Sequence, residues 1–165
     1  MTLRPSPLLR ALGTAAAITL LGLPLATPAA DHGHGGDVDT RHAIALDAGE
    51  KHFLLSEMRE FLAVTQRILT ASGAGDMEAV ARAASSVGLK AHQADFTDPA
   101  SLVHGIRRKA PKEFFPLGRA THAGFDEIAD VARSIGDKDT VNRMLAENLQ
   151  RCVACHATYR VIDAH

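Results

Sequence analysis

The 165 residues carry 18 Lys and Arg against 19 Asp and Glu, a formal net charge of −1, and that balance gives no basic surface of the kind nucleic acid requires. With no Trp, one Tyr, few β-branched runs and 46% hydrophobic residues, the composition is that of an all-α protein. The two cysteines stand three positions apart, so a disulfide between them would close almost no loop and add little stability.

Residues 1–30 contain Arg4 and Arg10, the apolar run "ALGTAAAITLLGLPL" and then "ATPAA". This order matches the charged start, apolar core and small-residue cleavage zone of a secretory signal, cut near Ala29 or Ala30. Export to the periplasm is the expected localisation. The remaining residues 31–165 lose two arginines and no acid, which moves the net charge to about −3, and they suffice for one domain. No further apolar stretch approaches the roughly 20 residues of a membrane span. The stretch "DHGHGGDVDTRHAIA" lacks periodicity, so residues 31–46 are expected to be a flexible lead-in. Its His32 could bind Cu(II) or Ni(II) beside a new amino terminus, as His-rich ends do adventitiously.

The domain proper is predicted over 47–165. A first helix should start at Asp47, where "DAGE" has capping-box spacing, and run to about Ser72. Its apolar stripe reads Leu55, Met58, Leu62, Thr65 and Leu69, widened by Leu54, Phe61 and Ile68. A second, short helix starts at the N-cap Asp76 and buries Val80, Ala83, Ala84 and Val87 before Gly88. Asp98-Pro99 marks a short helix "PASLVHGIR" that interrupts an otherwise bare connection. A third main helix spans about Pro116 to Ile135, with Leu117, Thr121, Phe125, Ile128, Ala132 and Ile135 inward. The fourth begins after Asp137 or Asp139 and extends to about Ile162, burying Val141, Leu145, Leu149, Cys152, His156 and Tyr159. Short links between the first and second and between the third and fourth imply antiparallel neighbours. The expected fold is therefore an antiparallel four-helix bundle with a longer crossing between its second and third helices.

"RCVACHATYR", residues 151–160, falls on the last turns of that final helix. Helical spacing puts Cys152, Cys155 and His156 on one side. The set suits covalent haem c, one per chain: two thiols add to the two vinyl groups and the adjacent imidazole reaches the iron. Zinc would need a fourth ligand that the pattern does not supply. A thioredoxin-like thiol pair would need a βαβ context that is absent from the periodicity.

"CVACHATYR" near the end of a four-helix chain resembles the cytochrome c′ family, in which Cys-x-x-Cys-His, a Tyr and an Arg occur in that order on the last helix. The resemblance covers about residues 47–163 and implies that Cys152 and Cys155 bind haem c covalently and that His156 is the proximal axial ligand. An antiparallel first helix brings its early turns level with the motif, which makes Met58 the candidate second ligand. Met77 and Met144 fall elsewhere in the bundle. In the family the matching position carries Leu or Phe in five-coordinate gas-binding forms and Met in six-coordinate low-spin forms. His122, near the start of the third helix, is the rival ligand, and His52 is expected to lie past the haem edge. The chain departs from some members in carrying Leu54 where they have a basic residue.

Arg160 could pair with a haem propionate, and "RRKAPK", residues 107–112, could steer an acidic redox partner, although such runs are more often solvated loop. The expectation is a non-enzymatic, six-coordinate monohaem cytochrome passing single electrons between periplasmic partner proteins. It would have no nucleic-acid partner and no membrane span, and an apolar outer helix face could support a homodimer. The alternatives are a five-coordinate haem protein binding gases such as nitric oxide, a non-haem zinc or thiol module, and a purely structural bundle.

Overall fold

A computed structural model describes residues 39–164. The export signal expected over 1–30, and the lead-in as far as residue 38 with its His32, lie outside the described residues. Within them the chain is mainly helical: α1 (Ala48–Gly73), α2 (Met77–Ser85), α3 (Gln93–Thr97), α4 (Leu102–Lys109), α5 (Phe114–Ser134) and α6 (Lys138–Thr158), with the strands β1 (His42–Leu46) and β2 (Tyr159–Asp163).

The helix starts follow the capping chemistry of the sequence. Asp47 accepts the Glu50 amide at 2.9 Å while Glu50 accepts the Asp47 amide at 3.1 Å, a complete capping box. Asp76 accepts the Ala79 amide and Asp137 the Thr140 amide, both at 2.8 Å. The links after α1 and α5 pass through Gly75 and Gly136, whose φ values of 74° and 68° lie in the left-handed region that glycine enters without strain. Asp98, expected as the cap of the short crossing helix, instead accepts the Ala100 amide two residues on, and α4 begins after Ser101.

One core is built from four helices: Phe61, Val64 and Ile68 of α1, Val80, Ala81 and Ala84 of α2, Phe125, Ile128 and Ala132 of α5, and Val141 and Leu145 of α6. The stripe expected on α1 is out of phase with this core. Leu55, Leu62 and Leu69 are 39%, 72% and 52% exposed, and the inward row is Phe61, Val64, Ile68 and Ser72. Apolar residues occupy two adjacent rows of this helix, so periodicity alone does not choose between them, and packing against α2, α5 and α6 does. Ile135, expected inward, is exposed just past the end of α5.

The ends of the domain depart further from the sequence reading. Residues 42–46, assigned to a flexible lead-in, form β1, which pairs in parallel with β2 in the register Ile44 to Val161. The last helix stops at Thr158 and not at Ile162, because Tyr159, Val161 and Ile162 favour a pleated strand once a partner is present. Ile44 and Leu46 are fully buried with Ile106 in a second, smaller core that also receives Phe53, Phe114 and Tyr159. Tyr159 and Arg160 therefore lie on a strand and not on the last helix.

Candidate functional site

Cys152, Cys155 and His156 line an open cavity of about 100 Å³ whose walls are mostly apolar. Both cysteines are half-buried, whereas His156 is more exposed and the intervening Val153 is 65% exposed to solvent. This is the one-sided display that the i, i+3, i+4 spacing dictates. The end of α6 is held from outside. Arg41 donates to the His156 carbonyl at 3.2 Å, and Arg41 is itself gripped by Asp39 at 2.7 Å. That hydrogen-bonded guanidinium holds the Asp39 carboxyl down at about 2. A cation at the carboxyl end of a helix complements its unpaired carbonyls, so the segment before β1 fixes the turn that presents the motif.

The two thiols are free. Burial pushes both above the usual cysteine value, and Cys152 adds to the effect on Cys155. Redox-active and metal-binding cysteines are held below that value by positive surroundings. These thiols are therefore neutral groups facing an apolar space.

The rest of the cavity is contributed by α1 (Phe53, Leu54, Glu57, Met58 and Phe61), by α5 (Leu117, Thr121 and His122 among others), and by the crossing through His92, Asp95, Phe96, Val103 and Ile106. Met58 thus shares the cavity with Cys152, Cys155 and His156. Met77 and Met144 pack on the four-helix core instead, and His52 is exposed and absent from the cavity wall. His122 also reaches the cavity, 7% exposed, edge-on to Phe61 with ring centroids 4.8 Å apart. Its Nδ1 lies 2.7 Å from the Val87 carbonyl; a carbonyl only accepts, so Nδ1 carries the proton and Nε2 keeps the lone pair. That Nε2 is 3.8 Å from Glu57 Oε2. Burial pushes the Glu57 carboxyl up and the His122 imidazole down, the latter against the opposing effect of the Val87 hydrogen bond. Both shifts favour the neutral forms.

Arg160 is not on the cavity wall. It lies beside Asp39 at 3.6 Å. Arg119 and Arg151 occupy the wall in its place, with Arg151 donating to Asn148 at 2.6 Å. The basic run 107–112 is largely engaged within the chain: Arg107 lies over the Phe115 ring, Lys109 pairs with Asp47 and Glu50, and Lys112 approaches Glu113. Sequence reasoning missed Glu57, His92, Asp95, Arg119 and Arg151. His92 and Asp95 sit in the stretch between α2 and α4 that has neither periodicity nor motif, and Glu57 is masked by its neighbour Met58. Among the described residues no helix is long and apolar enough to cross a membrane. Compared with family models, curated proteins and solved structures, the chain matches none.

Proposed function

We propose that this chain is an exported monohaem c-type cytochrome, not itself an enzyme, that carries single electrons between periplasmic partner proteins. The observation that carries the reading is the convergence of two neutral, half-buried thiols, the adjacent imidazole and Met58 on one apolar cavity. A haem bound there would supply reversible one-electron chemistry at its iron. Cys152 and Cys155 would each add across a vinyl group: a C–S bond forms, the thiol hydrogen goes to the neighbouring carbon, and nothing leaves. His156 and Met58 would hold the iron, with His122 as the rival for the place of Met58. Arg119 and Arg151 offer cations for the propionates, the role first expected of Arg160. Phe53, Phe61 and Phe96 line the space with apolar rings.

The three-residue links around Gly75 and Gly136, and one core shared by α1, α2, α5 and α6, support reading the helices as an antiparallel four-helix bundle. The exposed row Leu55, Leu62 and Leu69 on α1 supports a homodimer. The test compares absorption spectra of the oxidised and reduced protein with those of Met58→Leu. Low-spin spectra are expected in the wild type, giving way to high-spin spectra and ready carbon monoxide binding in the variant. A high-spin wild type would instead favour the five-coordinate gas-binding reading, and unchanged low-spin spectra in the variant would move the ligand to His122. A colourless protein with two titratable thiols would favour the zinc or thiol module.

A further inference from the structure

The cavity wall holds a second constellation that shares only His122, the rival ligand, with the haem reading. Glu57 from the middle of α1, His92 at the start of α3 and His122 from α5 bring one carboxylate oxygen and two imidazole nitrogens within 4.8 Å of one another. All three are withdrawn from solvent, with side chains 20%, 22% and 8% exposed. Each imidazole is already oriented by an outer partner. His122 Nδ1 is held by the Val87 carbonyl at 2.7 Å, and His92 Nδ1 by Asp95 Oδ2 at 3.1 Å. In both rings the acceptor fixes the proton on Nδ1 and leaves Nε2 as a free lone pair. An imidazole with one nitrogen tied to a carbonyl or carboxylate and the other free is the arrangement that metal-ligating histidines adopt.

We propose that Glu57, His92 and His122 form a binding site for a divalent first-row transition ion in the cavity wall, with Asp95 and the Val87 carbonyl as its outer supports. Two imidazoles and one carboxylate suit zinc, ferrous iron and their neighbours, and a set of three protein ligands leaves coordination positions open towards the cavity. Metal bonds of about 2.0–2.2 Å place ligand atoms about 3–3.6 Å apart, so binding would draw the three ligand atoms together by about an ångström or more from their present spacing of up to 4.8 Å. A bound ion would tie α1 and α5 to α3, a five-residue helix with no buried residue and no side-chain cap. The α3 segment would then be pinned at His92.

Glu57 and His92 play no part in the haem reading and only His122, its rival ligand, is shared, so a haem held by His156 and Met58 leaves this site intact and one held by His122 excludes it. The test uses the processed, haem-loaded protein carrying His32→Ala and His34→Ala, stripped with a chelator and titrated with Zn(II) by calorimetry. Metal content is counted after gel filtration. One zinc per chain is expected, lost in Glu57→Gln and in His92→Gln and weakened about tenfold or more in Asp95→Asn. Hydrogen exchange across residues 90–101 should slow on zinc addition in the unmutated site. Failure to retain zinc, uptake in either Gln variant equal to that of the unmutated site, or unchanged exchange across 90–101 would each overturn the proposal. The exchange result needs no substitution in the site, so it decides the matter even where a variant does not fold.

Discussion

Met58 has a thioether and a place on the cavity wall in its favour, yet methionine is also the commonest adaptable filler of apolar gaps. Replacement by Leu conserves volume and is expected to cost less than about 1.5 kcal/mol of stability, so a spectral change in Met58→Leu reports a lost ligand and not a collapsed cavity. At the helix starts, Asp47 and Asp137 are held below the ordinary carboxylate value of 3.8, Asp47 chiefly by the Glu50 amide and Asp137 by Thr140. A depressed folded-state value contributes stability that is fully present above the unfolded value and is lost as pH falls through the folded one. The difference in melting temperature between wild type and Asp137→Ala should therefore be constant from about pH 5 to 7 and shrink below about pH 4. A constant difference down to pH 2 would remove the ionised cap from the account. These residues were legible because a capping oxygen must precede its helix by a fixed number of positions. Glu57, His92 and His122 were not legible as a group, since they come from three elements and only the packing of the crossing against α1 and α5 joins them.

The two strands are the part of the secondary structure that sequence periodicity mistook. "HAIAL" alternates large residues with alanine over only five positions, and "TYRVID" continues a helical phase long enough to pass for its last turn. Each needs the other, because a strand five residues long gains its hydrogen bonds only from a partner more than a hundred positions away. Helices α1, α2, α5 and α6 were recovered to within a few residues, since their caps and glycine stops are local. The rotational phase of α1 was not, since two apolar rows compete on its surface. If β1 anchors the start of the domain through Leu46, which is fully buried, then Leu46→Ala should destabilise by about 2–5 kcal/mol, whereas Leu62→Ala on the exposed row should change monomer stability by less than about 0.5 kcal/mol. Chemical denaturation at low protein concentration separates the two. Equal effects would mean that residues 42–46 are the loose lead-in their composition suggests.

For the whole molecule, the helical layers gather an apolar cavity beneath the end of α6, and the parallel strands fasten the two ends of the described chain beside it. The motif "CVACH" points to the proposed chemistry from five residues, and the structure adds that both thiols are half-buried on an apolar cavity wall, where burial pushes them above the usual cysteine value. The proposed function depends on that cavity receiving a covalently attached haem. The most direct measurement is the intact mass of the processed protein, made alongside haem-maturation machinery, together with that of Cys152→Ala/Cys155→Ala. The wild type is expected to exceed its polypeptide mass by one haem that survives denaturation, and the double variant to weigh only its polypeptide. A wild-type mass equal to that of the bare processed chain would contradict the account.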